Sequence, residues 1–345
     1  MIIPSSSEIL IDGISVQSLA FAVILSANGA KVLMVDEQNG FELPCKFTVL
    51  DDYCLAFLTE SGFEFSSDEL REKQIDLQKF IAQALKLLAK NLCNVIWEGK
   101  IIRKSETVCS ISNNGNIAQH TTSYILKQEI FQSHIDLIDI RLSILLAWRL
   151  IGIYTTHSLQ KKIIDSYKKE AGLLKTQYHL KNPTSKRNIL QKWFGNLFFN
   201  SGGFNLIDSK TSLHLSQYRN IQAGELLPNL SFFDEHKKTS SKLYDWCSYG
   251  HFSVIIFGTL SQTNLYYNAR WLKLHYPVQL FYMPYSEKNQ PVFDALNIRN
   301  GEKKTLLIRP DKYIGLLHDG VDIEIIDNYL QNFIYMNQKG EKAFL

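Results

Sequence analysis

No two cysteines of this chain stand in C-x-x-C spacing, and the five present (Cys45, Cys54, Cys93, Cys109, Cys247) are odd in number. That argues against a disulfide framework or a zinc site, and for a reducing compartment. Charge of one sign is equally scarce. The 37 Lys and Arg nearly balance 34 Asp and Glu, leaving +3, and no basic patch interleaved with aromatics points to nucleic acid. Long apolar runs are missing too. Residues 135–153 come nearest, but Asp136, Asp139, Arg141 and Arg149 interrupt them, so they read as a buried helix and not as a membrane span. A basic n-region is also lacking ahead of the first apolar run, so no signal peptide is expected and the expected location is cytoplasmic.

What the chain does have is globular. Of its 345 residues, 45% are hydrophobic and 21% charged, which suits two or three domains with ordinary cores. Its most informative stretch is residues 9–37. An apolar run, Ile9 to Ile11, meets Gly13. Leu19, Ala22 and Val23 follow at helical spacing, Asn28-Gly29 closes the helix, and a second apolar run ends in Asp36-Glu37. This is the order of a β-α-β dinucleotide unit, with an acidic residue placed for a ribose hydroxyl. Such units carry G-x-G-x-x-G at the turn; here the three positions read Gly13, Ser15 and Ser18. Gly13 keeps the turn, where a positive φ is cheap only for glycine. Serine at position 18 is small enough for helix to pack on strand. At Ser15 the added Cβ and hydroxyl narrow the space a phosphate would use. Asp36 has two readings, a ribose contact or a solvated strand end.

Further along, residues 74–90 read as one amphipathic helix, with Leu77, Phe80, Ile81, Ala84, Leu85 and Leu88 recurring at three and four. Short strands are expected at 95–97, 101–103, 108–111 and 124–126, with a turn at Asn113-Asn114-Gly115. Helices follow at 137–153, at 158–171 ending near Gly172, and at 190–199. A polar connection at 181–187 and the break Ser201-Gly202-Gly203 place the division between a first domain, 1–200, and a second, 215–345. In the second, apolar runs at 252–257, 278–282, 305–308 and 313–317 alternate with helices at 265–275, 292–296 and 321–334. The order β-α-β-α-β-β-α is that of a thioredoxin-like domain. Without C-x-x-C, Cys247 is expected to be a buried thiol.

Several of these segments together resemble the FAD-dependent aromatic hydroxylases, the single-component flavoprotein monooxygenases such as phenol hydroxylase. Residues 9–37 resemble the FAD-binding β-α-β unit, and residues 74–97 the helix that opens with Gln. L-L-A-W-R-L (145–150) with D-S-Y-K-K-E (165–170) resembles the family's helix pair. Leu243-Tyr244-Asp245 and L-I-R-P-D (307–311) with Tyr313-Ile314-Gly315 are similar to its thioredoxin-like C-terminal domain. The resemblance implies a mixed α/β fold: a reduced Rossmann-like FAD domain, with helices and a small meander, followed by a thioredoxin-like domain. It implies FAD as the cofactor, held through Gly13, Ser15, Ser18, Asp36 and Gln74.

The departures bear on function. The family's second fingerprint, Asp-Gly followed by Arg, falls at Glu129-Ile130 and near Gln132. The Gly-Asp motif and glycine-rich loop that would aim N–H groups at a flavin are replaced by H-I-D-L-I-D-I-R-L-S-I, which has no glycine. For the arginine after the first acidic strand, Lys46 is the nearest cation. The substrate-covering sheet has no residues to form it, and hydroxylation needs an enclosed, dry flavin. No replacement constellation is legible: His134 with Asp136 and Asp139 does not share one helical face, His251 and His318-Asp319 read as structural or solvated, and no histidine is placed to activate Ser15 or Ser18. Two expectations follow. One is a pseudoenzyme, a degenerate homologue acting as a binding or assembly module with a protein partner or a second copy. The other is an FAD-binding oxidoreductase or monooxygenase that acts on an aromatic small molecule with NAD(P)H. No metal is expected in either.

Overall fold

The computed structural model describes residues 3–40, 46–103, 105, 107–127, 137–181, 203–235 and 237–339. By contacts the chain divides into two compact units, Met1–Thr156 and His157–Leu345. The division expected from sequence lay between residues 200 and 215; helix 164–181 groups instead with the C-terminal unit.

In the N-terminal unit, β1 (Ser6–Asp12), α1 (Val16–Ala27) and β2 (Val32–Val35) form the expected β-α-β unit. β1 is parallel to β2, with Ile9 opposite Val32. Next come β3 (Phe47–Val49), α2 (Asp52–Glu60), α3 (Ser67–Glu72), β4 (Gln74–Asp76), α4 (Leu77–Lys90) and β5 (Asn94–Ile96). The meander is β6 (Gly99–Arg103), β7 (Val108–Asn113) and β8 (Asn116–Lys127), and α5 (Leu137–Leu150) follows. The six-stranded sheet runs β5-β2-β1-β8-β7-β6, with β3 and β4 as a separate ribbon. The parallel half is β5-β2-β1-β8; the antiparallel half is the meander. α1 is buried from Val16 through Ser26. It is buried on every side because the sheet, α4 and α5 all pack on a face of it.

Several expected boundaries move for local reasons. The helix read from Gln74 starts at Leu77, because the Asp76 carboxylate caps it by accepting from the N–H groups of Gln78 and Lys79 at 3.0 and 3.2 Å. Residues before it form α3 behind a Ser66/Glu69 capping box. The strand expected at 124–126 is twelve residues long, since β8 bridges β1 and β7. The helix expected to stop near Gly172 runs on to Lys181. A Cβ on Gly172 would meet nothing within 4 Å, so this glycine marks no close approach. The helix expected at 190–199 lies outside the described residues.

The C-terminal unit opens with α6 (Ile164–Lys181), β9 (Leu213–Leu215) and a hairpin of β10 (Ser231–Asp234) and β11 (Thr239–Lys242). It continues as β12 (Phe252–Phe257), α7 (Gln262–His275), β13 (Val278–Met283), α8 (Gln290–Ala295), β14 (Lys304–Ile308), β15 (Ile314–His318) and α9 (Ile323–Asn332). From β12 onward this is the order expected from sequence. The sheet runs β13-β12-β14-β15-β9. β12, buried at all six positions, is flanked by parallel β13 and antiparallel β14. Ile255, Phe257, Leu306, Ile308 and Phe293 lie in the core cluster of this unit, and Cys247 is a buried thiol within it, donating to the Leu243 carbonyl at 3.5 Å.

At the heart of this unit lies a charge cluster. Arg309, with no exposed surface, donates through Nη1 and Nη2 to Glu170 of α6 at 2.9 and 3.1 Å, and through Nε to Asp311 at 3.0 Å. Ser209 and Thr211 also donate to Glu170, and the Tyr329 hydroxyl donates to the Thr211 carbonyl at 2.7 Å. Replacing Arg309 by Met leaves two buried carboxylates without their cation. The expected loss is about 3–5 kcal/mol, by the usual cost of breaking a buried pair, read as a fall in the denaturant midpoint.

On the other side of α9, the Tyr276 hydroxyl donates to Asp327 and accepts from Gln331 at 3.0 Å. Burial, with the Asp327 hydrogen bond next, pushes the Tyr276 phenol up to about 12 from 10.0. The folded state therefore keeps a proton that the unfolded state gives up above pH 10, so stability falls as pH rises from 10 towards 12. Denaturant midpoints measured across that range should fall less steeply in Tyr276→Phe than in the parent.

Candidate functional site

A dinucleotide unit does its work at the turn from β1 to α1. Gly13 stands there at φ +99°, and its N–H donates to the Val35 carbonyl at 2.8 Å. The positive φ expected of Gly13 at this turn is present. Ser15 is the N-cap of α1, and its hydroxyl accepts from the Ser18 N–H at 3.1 Å. In return the Ser18 hydroxyl accepts from the Ser15 N–H at 2.7 Å, and it lies 3.1 Å from the Ser15 carbonyl as a donor. This is a reciprocal capping box with Ser in the place usually held by Glu or Gln. Two N–H groups at the helix start are thereby satisfied from within the chain.

Asp36 follows β2 and reaches back to the same turn. Its Oδ2 accepts from the Ile14 N–H at 2.6 Å, and its Oδ1 from the Gln38 N–H at 2.8 Å. Of the two readings of Asp36, the structure adds a third role, a clamp between the turn and the strand end. Gln74 is not brought to this place by any hydrogen bond. It lies in the β3–β4 ribbon opposite Val49, with an exposed side chain.

Residues that sequence reasoning missed close the surroundings. Gln17, in the first turn of α1, donates to the Asp139 carbonyl at 3.1 Å and to the Ser143 hydroxyl at 3.3 Å, both on α5. Arg141, also on α5, pairs with Asp51 through Nε at 3.2 Å and through Nη2, and lies 4.3 Å from the Tyr53 ring centroid. Asp51 in turn caps α2 by accepting from the Cys54 N–H at 2.9 Å. Burial, then the nearby Asp51 charge, raises the Cys54 thiol well above its ordinary value, so it stays protonated. The run of charges along α5 was legible as a break in hydropathy; their partners on α1 and α2 were not. Lys46, the nearest cation to the acidic strand in sequence, lies over the Phe47 ring at 5.1 Å. Glu129-Ile130, Gln132, His134 and Asp136 lie outside the described residues, and among the described residues no group of His, Cys, Asp and Glu is placed to hold a metal.

The fit to FAD is therefore mixed. Gly13 makes the turn at positive φ, and Asp36 reaches it from the end of β2. The turn offers no open phosphate cradle, because Ile14, Ser15, Val16, Gln17 and Ser18 are all buried, the most open being Ser15 at 8%. A cradle meant for a cofactor presents its N–H groups to the ligand; here the Ser15 and Ser18 N–H groups are turned onto each other's hydroxyls.

No family model matches the chain, and no curated protein matches it by sequence. Solved structures do match by fold. Aklavinone-11 hydroxylase, solved as a ternary complex with FAD and aklavinone, superposes at TM-score 0.70 over 97% of this chain and 100% of its own, at 9% identity. The flavin-dependent monooxygenase PieE, in complex with FAD and substrate, gives TM-score 0.61 over 96% and 99% at 9% identity. OxyS anhydrotetracycline hydroxylase from Streptomyces rimosus gives 0.62 over 95% and 99% at 10% identity. At such identities the likeness is one of architecture: this chain is built on the fold of the FAD-dependent aromatic hydroxylases.

Proposed function

We propose that this chain uses the flavin-hydroxylase fold as a binding or assembly module and does not hydroxylate. The observation that carries the reading is the connection from β8 to α5. It consists of residues 128–136 alone, whereas a substrate-covering sheet needs several strands of about five residues each. Among the described residues of the N-terminal unit the only sheets are the six-stranded one and the β3–β4 ribbon. A bound flavin would supply the oxygen chemistry, and hydroxylation with it would need a covered site from which water is excluded. The C-terminal unit, which we read as thioredoxin-like from the order of β12 to α9, then serves as the second half of a docking scaffold.

The β3–β4 ribbon supports a binding role. Its alternation is inverted: Thr48 is buried, while Phe47 and Val49 are 43% and 64% exposed. Apolar side chains turned outward on one face suit a contact with another protein, whether a partner or a second copy.

A second reading is favoured by the comparisons and not by the site. The solved neighbours include complexes with FAD, and Gly13 and Asp36 keep their places. On that reading the chain is an FAD-binding oxidoreductase that acts on an aromatic small molecule with NAD(P)H. An absorbance spectrum taken after incubation with FAD and desalting separates the two. A colourless protein that consumes no NADPH in the presence of phenols is the expected result. A retained flavin spectrum overturns the first reading and sends the work to turnover assays.

A further inference from the structure

The start of α1 has to be satisfied by something. The helix is buried from its first residue, so water cannot serve its first-turn N–H groups, and an unpaired buried N–H costs about 1–3 kcal/mol. In dinucleotide proteins the anion of the cofactor takes up part of that demand, drawn by the donors and by the helix dipole. Here two of those N–H groups, those of Ser15 and Ser18, are met at short range by hydroxyls. Ser15 Oγ takes the Ser18 N–H and Ser18 Oγ takes the Ser15 N–H, at 3.1 and 2.7 Å. Asp36 supplies the only carboxylate in the set, accepting from Ile14 at 2.6 Å. Gln17 ties the same turn to α5 through Asp139 and Ser143. Each of these contacts lies within the N-terminal unit and none requires a ligand.

We infer that Ser15 and Ser18 replace the phosphate of a dinucleotide at this helix end, so that the N-terminal unit folds complete without a cofactor. The two serines stand at the two positions where the dinucleotide turn carries glycine. Glycine there leaves N–H groups for an anion; serine brings its own acceptor to them. The substitution thus removes a ligand requirement as well as a binding site. This inference rests on the reading that the chain retains no flavin, and its test separates the two.

The test uses the full chain as wild type, S15A, S18A and S15G/S18G. Thermal midpoints are measured alone, with FAD and with inorganic pyrophosphate. Hydrogen exchange is followed in the peptide spanning Gly13 to Leu19. In the flavin-free wild type this peptide should be protected like the core, and neither FAD nor pyrophosphate should change its protection or the midpoint. S15A and S18A should each lower the midpoint by roughly 2–4 °C, as expected for loss of one cap in a unit of this size. S15G/S18G should lose more, and pyrophosphate should restore part of that loss. Should the double variant fail to fold, the exchange data on wild type and the single variants still decide. Rapid exchange of the peptide in flavin-free wild type, slowed by FAD, overturns the inference. So do single variants that unfold at the wild-type midpoint. A flavin retained by wild type counts against the functional reading; unchanged single variants in a colourless protein count against the inference alone.

Discussion

A helix buried from its first residue cannot leave the N–H groups of its first turn to solvent. α1 is such a helix, packed by sheet, α4 and α5 at once, and much of the N-terminal unit is arranged around meeting that condition. The serine pair closes the turn, Asp36 draws the end of β2 onto it, and Gln17 fastens α5 across it. α5 is then held from its other side by the Arg141–Asp51 pair, which also sets the start of α2. The polar contacts form a connected set, so the position of each element follows from the need to satisfy its neighbour.

The C-terminal unit solves a related problem with charge. Arg309 sits at the end of β14, and its five donors need acceptors in a place without water. Glu170 from α6 and Asp311 from the following turn provide them, while Ser209 and Thr211 take up further capacity of Glu170. Through this cluster α6, the segment before β9 and the β14–β15 turn are held in one geometry. Such a cluster contributes more to a unique arrangement than to net stability, since desolvation offsets most of its attraction.

The functional reading turns on what the fold retains and what it has closed. The architecture is that of enzymes solved with FAD, and the turn and acidic strand end persist. The Ile14, Ser15 and Ser18 N–H donors at this turn are spent internally, and the chain between β8 and α5 is short. On the proposed reading the scaffold is kept for its shape and surface, and the outward Phe47 and Val49 are part of that surface.

Sequence alone determined the β-α-β unit, the meander, the order of elements from β12 to α9 and the general likeness to flavin hydroxylases. These depend on local periodicity, on turn residues such as Gly13 and on apolar runs such as 252–257, all of which act between neighbours in the chain. It also located Ser15 and Ser18 as the anomaly. It did not show that the two hydroxyls satisfy each other, because a serine near a helix start can face a ligand, solvent or its own backbone. Capping also hid from pattern reading, so α3 was missed and α4 was begun too early. The tertiary structure alone decided the partners of Gln17, Arg141 and Arg309. Those pairs join residues 90 to 139 positions apart, and no local propensity can encode which distant acceptor a buried donor will find.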